Sequence, residues 1–207
     1  MLTTGAVLNG LYALKPWYTR RLSAIVGAAV QRDMSPDVFT VVGVVAAALA
    51  GVAIWAGWWP IALLLLAARL AGANLDGAVA RARGVSRPWG FVLNEVGDRT
   101  SDLLMYAGLL ALAVRVTDGW GSPSVLWIVI AAAASTLPTF GSLAAAGAGA
   151  TRRNGGPLGK TERCALAVLA TGIPAWLPWI CAVIAVGSVV TAALRLRATH
   201  RELSEPA

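Results

Sequence analysis

The chain has 207 residues, of which 57% are apolar and 13% are charged, and its formal net charge is +7. Soluble domains carry about a quarter charged residues, so this composition excludes an ordinary soluble domain and predicts one integral membrane domain. The nine tryptophans fit the aromatic belts of membrane interfaces. The arginines are scattered among loops and no nucleic-acid motif is present, so nucleic acid is not an expected partner.

The N-terminal segment, residues 1–34, is predicted to contain an amphipathic helix that lies in the membrane interface. Apolar side chains recur at helical spacing within residues 11–33, and basic side chains lie mostly on other faces. An ordinary first helix packed on the rest of the domain is compatible with the same pattern.

Residues 35–198 are predicted to form a membrane domain of six transmembrane helices. Ser35-Pro36 is a typical helix start, with serine as the N-cap and proline in the first turn. The fifth helix is short for a span and would need tilt or local thinning of the bilayer. Residues 199–207 are predicted to form a polar tail. The helices are expected at about 36–57, 59–82, 88–116, 125–149, 161–173 and 176–194.

The distribution of basic residues predicts the orientation in the membrane. Six spans place both termini on one side, and most of the 17 basic residues fall on that side. Positive loops face the cytoplasm, so we expect a multi-pass protein of the cell membrane with both termini cytoplasmic. Cys164 and Cys181 lie in apolar segments and are expected to be packing residues rather than a disulfide.

One polar stretch, residues 73–102, interrupts the apolar pattern. Carboxylates beside a membrane are costly unless they pair with a charge, bind a cation or meet water. If Pro88 starts a helix, Asn94, Asp98 and Asp102 lie on one face of it. The stretch holds four of the ten acidic residues of the chain: Asp76, Glu95, Asp98 and Asp102.

These oxygen-bearing side chains indicate a site for a hard divalent cation. Asp76 falls near the end of the preceding helix, so two antiparallel helices can point oxygen ligands at one place. Mg²⁺ and Mn²⁺ prefer carboxylate, amide and water oxygens. The alternative is that the acids only neutralise nearby arginines, namely Arg81, Arg83, Arg87 and Arg99.

The same stretch resembles the signature of the CDP-alcohol phosphotransferases, D-x-x-D-G-x-x-A-R-x8-G-x3-D-x3-D. Ala73 and Asn94 stand where that pattern has aspartates. Residues 98–102, DRTSD, are similar to the D-R-x-S-D run of the phosphatidylinositol-phosphate synthase branch. The residues that match the pattern are Asp76, Gly77, Ala80, Arg81, Gly90 and Asp98.

The resemblance implies an enzyme that transfers a substituted phosphate from a CDP-linked lipid, such as CDP-diacylglycerol, to an alcohol and releases CMP. It implies Asp98 as the general base, and a Mg²⁺ or Mn²⁺ site lined by Asp76, Asn94 and Asp98, with Asp102 as a substitute ligand. It also implies a homodimer and an acceptor such as inositol phosphate or another polyol phosphate. The residues expected to shape the nucleotide pocket are Gly77, Ala80, Arg81 and Gly90.

The loop at residues 151–163, TRRNGGPLGKTER, is the second stretch that contains candidate functional residues. Arginine forks and the N–H groups of glycine-rich turns bind phosphate, and the resemblance implies that this loop meets the acceptor. The alternative is topological, because any cytoplasmic loop needs positive charge. The residues expected to contact phosphate are Arg152, Arg153, Lys160 and Arg163.

Two other functions remain open from the sequence. Ala73 and Asn94 favour a catalytically weakened relative that binds nucleotide or lipid or serves as a partner subunit. A small transporter is disfavoured because the acids lie near the cytoplasmic ends of the helices, whereas transport sites lie near the midplane. With two aspartates missing, the site is expected to hold one divalent ion firmly and a second ion weakly or not at all.

Overall fold

The computed structural model describes residues 15–204, which are helices joined by short loops. The parts of the predicted N-terminal segment and polar tail at residues 1–14 and 205–207 lie outside the described residues. The helices are α1 Lys15–Arg21, α2 Ser23–Gln31, α3 Pro36–Ala56, α4 Trp59–Ala82, α5 Pro88–Val116, α6 Pro123–Gly147, α7 Lys160–Gly172 and α8 Leu177–Ser204.

The all-helical class is confirmed, and within residues 15–204 four stretches are long and apolar enough to cross a membrane: α3, α4, α6 and Pro174–Ser204, which contains α8. Helix α5 has 29 residues but carries the polar stretch, and α7 has only 13 residues. The protein therefore has the helices of a membrane protein, while a count of six spans stays a prediction.

The helix ends follow the local signals of the sequence. The Ser35 hydroxyl accepts a hydrogen bond from the Asp37 N–H at 3.4 Å, which caps α3 as predicted. Gly57 ends α3 in the left-handed conformation with a φ of 80°. Helix α8 continues to Ser204, past the predicted start of the polar tail, because residues 195–204 contain no glycine or proline to stop it.

The described part of the N-terminal segment forms two short helices, α1 and α2, that meet at Leu22 rather than one continuous helix. Its apolar face packs on the domain, because Leu22, Val26 and Ala29 join a cluster with Phe39 of α3 and Val79 of α4. Whether its other face lies in the membrane interface stays a prediction.

Glycines bring α3, α4 and α5 close together. An added Cβ on Gly72 would lie 2.6 Å from the Phe39 carbonyl oxygen, and one on Gly108 would lie 2.3 Å from that of Gly51. Backbones this close leave no room for a side chain, so α3 is held between α4 and α5. The contact places Thr40 of α3 between the polar ends of α4 and α5.

The apolar core fills the other half of the bundle. Helix α6 packs along α8, and α7 packs against α4, α5 and α8. Cys164 and Cys181 are free thiols buried in this core, so their prediction as packing residues is confirmed.

Candidate functional site

Two cavities open beside the polar ends of α4 and α5. The first cavity, of about 510 Å³, lies between the C-terminal half of α4, the 83–87 loop and the start of α5. The second cavity, of about 420 Å³, lies between α1, α5 and the 151–163 loop. Both are lined by Ala73, Asn74, Asn94, Glu95 and Arg152, so the two cavities adjoin.

The residues predicted to bind nucleotide are brought together in the first cavity. Gly77, Ala80 and Arg81 come from α4 and Gly90 from α5. They share the cavity with Asp76 and Asn94, and further basic side chains, Arg83, Arg87 and Arg152, complete its wall. A concave site rich in guanidinium groups suits a phosphorylated ligand.

Asp76 is buried at the edge of the first cavity and is held by uncharged donors. The Thr40 hydroxyl donates to its Oδ2 at 2.9 Å, and the Asn94 amide donates to the same oxygen. Its Oδ1 accepts the Gly77 N–H at 2.5 Å. The pattern's aspartate and the asparagine that departs from it therefore touch each other.

Asp98 lies on the side of the second cavity and is paired with basic groups. The Lys160 ammonium contacts its Oδ1, and the Arg69 Nη2 lies 3.9 Å from the same oxygen. Asp98 is 18% exposed, so its carboxylate is reachable from the cavity. A carboxylate in this position can accept a proton from a hydroxyl that enters the second cavity.

Asp102 does not join Asp76, Asn94 and Asp98 at the two cavities. Its Oδ1 accepts a hydrogen bond from Arg69 Nη2 at 2.5 Å, and its Oδ2 lies 2.9 Å from Arg99 Nη2. It lines neither of the two large cavities within the described residues. Its geometry is that of a buried counter-ion for Arg69, although it shares a helix face with Asp98.

The donors present fit one hard cation. Ala73, Asp76, Asn94 and Asp98 border a common void of about 10 Å³. Two carboxylates and one amide oxygen are a hard donor set of the kind that Mg²⁺ and Mn²⁺ prefer. Within residues 15–204 no group of three or more His, Cys, Asp or Glu side chains is placed to hold a metal ion.

The 151–163 loop divides the four predicted phosphate contacts. Arg152, Lys160 and Arg163 line the second cavity, and Arg152 also stacks on Phe91 with its guanidinium carbon 4.8 Å from the ring centre. Arg153 is directed elsewhere, because its Nη2 pairs with Glu202 of α8 at 2.6 Å. Three of the four basic residues therefore line the second cavity, where Arg152 pairs with Glu95 and Lys160 pairs with Asp98.

Arg195 of α8 is a site residue that sequence reasoning missed. Its guanidinium donates to the carbonyl oxygens of Asn154 at 2.6 Å, Gly155 at 2.9 Å and Pro138 at 2.9 Å, and it also lines the second cavity. It thus fixes the loop on α6 and α8. No motif in the sequence predicts this role, because Arg195 belongs to a run of basic residues near the end of the chain.

Helix α1 closes the outer side of the second cavity. Burial raises the pKa of Tyr18, whose hydroxyl donates to the Ala67 carbonyl oxygen at 3.0 Å. The Asn74 amide donates to the Thr19 hydroxyl at 2.8 Å. These two bonds tie α1 to α4 next to Ala73.

Comparisons with known proteins agree with this arrangement. No protein-family model matches the chain. A phosphatidylinositol phosphate synthase of Mycobacteroides abscessus is 29% identical over 93% of this chain and 89% of its own.

Two crystal structures of the Mycobacterium tuberculosis phosphatidylinositol phosphate synthase have a similar fold. The structure with CDP-DAG bound is 24% identical, with a TM-score of 0.72 over 91% of this chain and 99% of that chain. The structure in complex with manganese and citrate is 24% identical, with a TM-score of 0.70 over 89% of this chain and 92% of that chain. Along most of its length, the chain is therefore similar in sequence and in fold to phosphatidylinositol phosphate synthases, which are CDP-alcohol phosphotransferases.

Proposed function

We propose that this chain is a membrane CDP-alcohol phosphotransferase of phospholipid synthesis. It transfers a substituted phosphate from a CDP-linked lipid to the hydroxyl of an alcohol acceptor and releases CMP. The observation that carries the proposal is the pair of adjoining cavities, one rich in guanidinium groups and one reached by Asp98, with Asp76 and Asn94 between them.

The first cavity takes the nucleotide of CDP-diacylglycerol. Arg81 and the guanidinium groups around it bind phosphate oxygens, while Gly77, Ala80 and Gly90 leave room for the ligand beside the helices. A structure of a similar enzyme contains CDP-DAG, which supports this choice of donor.

Asp98 is the proposed general base. Its carboxylate takes the proton of the acceptor hydroxyl, whose oxygen attacks the phosphorus that bears the lipid, and the bond from that phosphorus to the CMP oxygen breaks. The Lys160 ammonium contacts Oδ1 of this carboxylate, which lines the second cavity. Electrostatic stabilisation of the phosphate oxygens comes from the basic side chains that line both cavities.

Asp76 and Asn94 would hold one Mn²⁺ or Mg²⁺ ion between the two cavities, in a void that Asp98 also borders. A bound divalent cation supplies charge stabilisation to the diphosphate oxygens. The manganese complex of a similar enzyme supports a divalent ion of this kind.

The acceptor occupies the second cavity. Its basic side chains Arg152, Lys160 and Arg163 suit a phosphorylated alcohol, so inositol phosphate is the first choice and another polyol phosphate the second. The similarity to phosphatidylinositol phosphate synthases supports that order.

The membrane arrangement completes the proposal. Helices α3 to α8 form six spans in the cell membrane, α1 and α2 lie at the interface, and the termini and both cavities face the cytoplasm. The excess of basic residues in the loops on that side supports this orientation. The protein works as a homodimer, as the resemblance to the family implies.

A second candidate function is a relative with weakened catalysis that binds CDP-lipid or serves as a partner subunit. Ala73, Asn94 and the ion pair between Lys160 and Asp98 favour it, because each reduces the negative charge available to metal ions.

CMP release separates the two candidates. Purified protein in detergent is given CDP-diacylglycerol, Mn²⁺ and either inositol phosphate or glycerol phosphate, and CMP is measured. Acceptor-dependent CMP release supports the enzyme. Binding of CDP-diacylglycerol without CMP release from any acceptor supports the second candidate, and absence of binding contradicts both.

A further inference from the structure

We propose that Lys160, reinforced by Arg69, is a fixed cation that takes the place of a second divalent ion at this site. The inference deepens the proposed function and rests on it for the identity of the site. It predicts a chain that binds at most one divalent ion, on the Asp76 side of the common void.

The position of Arg69 is the first observation. Arg69 lies on α4 four residues before Ala73, so the two share a helix face. Its side chain is 1% exposed and borders the void together with Asp76, Asn94 and Asp98. Only Nη2 is engaged, and Nε and Nη1 have no hydrogen-bond partner in the described protein. The buried positive charge of Arg69 therefore lies one helical turn before Ala73, which is the position where the family pattern has an aspartate.

Lys160 supplies the second observation. It is the first residue of α7, and its ammonium contacts Asp98 Oδ1 directly. The Arg69 Nη2 lies 3.9 Å from the same oxygen and 3.4 Å from the Asp98 carbonyl oxygen. Asp98 is therefore approached by two positive charges from two helices.

On the Asp98 side of the void, the negative charges do not outnumber the positive charges. The carboxylates of Asp98 and Asp102 are opposed by Arg69, Arg99 and Lys160. A divalent ion placed against Asp98 would be repelled by the ammonium that already contacts it. An asparagine at position 94 adds no negative charge to offset that repulsion.

The Asp76 side differs. The Asp76 carboxylate accepts hydrogen bonds from the Thr40 hydroxyl, the Asn94 amide and the Gly77 N–H, which are all uncharged donors. Rotation of the Asn94 amide would present its oxygen in place of its nitrogen. The Asp76 side can therefore bind one divalent cation, whereas the Asp98 side is already occupied by the ammonium group of Lys160.

Removal of the Lys160 charge tests the inference directly. Lys160→Gln keeps a polar side chain of similar reach at a position that is 24% exposed. We expect K160Q to bind Mn²⁺ at least about tenfold more tightly than wild type, since the positive charge that occupies the Asp98 side of the site is lost. The matched control is Arg197→Gln, which removes one positive charge from an exposed position on α8.

The experiment titrates purified wild type, K160Q and R197Q with Mn²⁺ alone and measures free Mn²⁺ by electron paramagnetic resonance. One ion per wild-type chain, tighter binding by K160Q and wild-type behaviour of R197Q support the inference. Two ions of similar affinity on wild type, or equal affinities of K160Q and wild type, overturn it.

The same preparations are assayed for CMP release, so the two proposals fail separately. CMP release by a wild type that binds two Mn²⁺ ions leaves the proposed function standing and removes this inference. If the proteins bind Mn²⁺ as expected but release no CMP, this inference stands and the proposed function is removed.

Discussion

Asp98→Asn tests the assignment of the base. The change keeps the size of the side chain and removes its charge and its basicity. A positioned base accelerates proton transfer by about 10² to 10⁴, so D98N should lower kcat at least about a hundredfold, or about 2.7 kcal/mol in the barrier.

The structure indicates that this loss is chemical rather than structural. Asp98 and Lys160 are 18% and 24% exposed, so water can solvate Lys160 when its partner becomes neutral. An ion pair near the surface contributes about 0 to 1 kcal/mol to stability, which is small beside the expected barrier change. Asp98 therefore differs from Asp102, whose carboxylate is buried against Arg69 and Arg99.

The assay measures kcat for CMP release from CDP-diacylglycerol at saturating acceptor over a range of Mn²⁺ concentrations. Asp118→Asn is the matched control, because it makes the same chemical change at an exposed loop position. A base that is lost cannot be replaced by more Mn²⁺, so kcat of D98N should stay low at saturation. A kcat close to wild type, or one restored by excess Mn²⁺, would refute the assignment of Asp98 as the base.

Three further predictions follow from the described contacts. Arg163→Lys should raise the KM for the phosphorylated acceptor more than Arg153→Lys does, because Arg163 lines the second cavity whereas Arg153 pairs with Glu202; steady-state kinetics compare them. In a background without native cysteines, a cysteine at Ser86 should react with a reagent applied from the cytoplasm and one at Asp118 should not. Gly108→Ala should lower the thermal unfolding temperature in detergent, since its Cβ would lie 2.3 Å from a backbone oxygen of α3.

Each of these outcomes can fail. Equal KM values for R163K and R153K would favour a purely topological role for the loop charges. Cytoplasmic labelling at position 118 would contradict the orientation and the six-span count. An unchanged unfolding temperature of G108A would mean that α3 and α5 separate more easily than their close contact indicates, and Gly121→Ala, which meets no atom within 4 Å, serves as its control.

The sequence was sufficient for most of the helix boundaries and for most residues of the first cavity. Local signals such as Ser35-Pro36 and the apolar runs are short-range, so most helix starts and ends could be predicted within a few residues, although α8 ends at Ser204 rather than near residue 194. The spacing of Asp76, Gly77 and Arg81 places them on neighbouring turns of α4, and the short loop at residues 83–87 brings Gly90 of α5 to the same cavity.

Pairing between distant segments could not be predicted in the same way. Helical periodicity places Asp102 on the same face as Asp98, which made it a candidate metal ligand. In the fold its carboxylate forms ion pairs with Arg69 and Arg99 instead. From its charge alone, Arg153 was predicted to contact phosphate together with Arg152. In the fold it pairs instead with Glu202, which lies 49 residues away along the chain.

By itself the sequence determined the all-helical class, the apolar helices and the polar stretch at residues 73–102, because these depend on composition and on spacing along one helix. Only the tertiary structure decided which cation meets which carboxylate. The glycine contacts of α3 with α4 and α5 set the distance between Asp76 and Asp98, and the position of α7 brings Lys160 to Asp98. Electrostatic energy depends on distances of a few ångströms between helices, and no pattern within a single helix contains those distances.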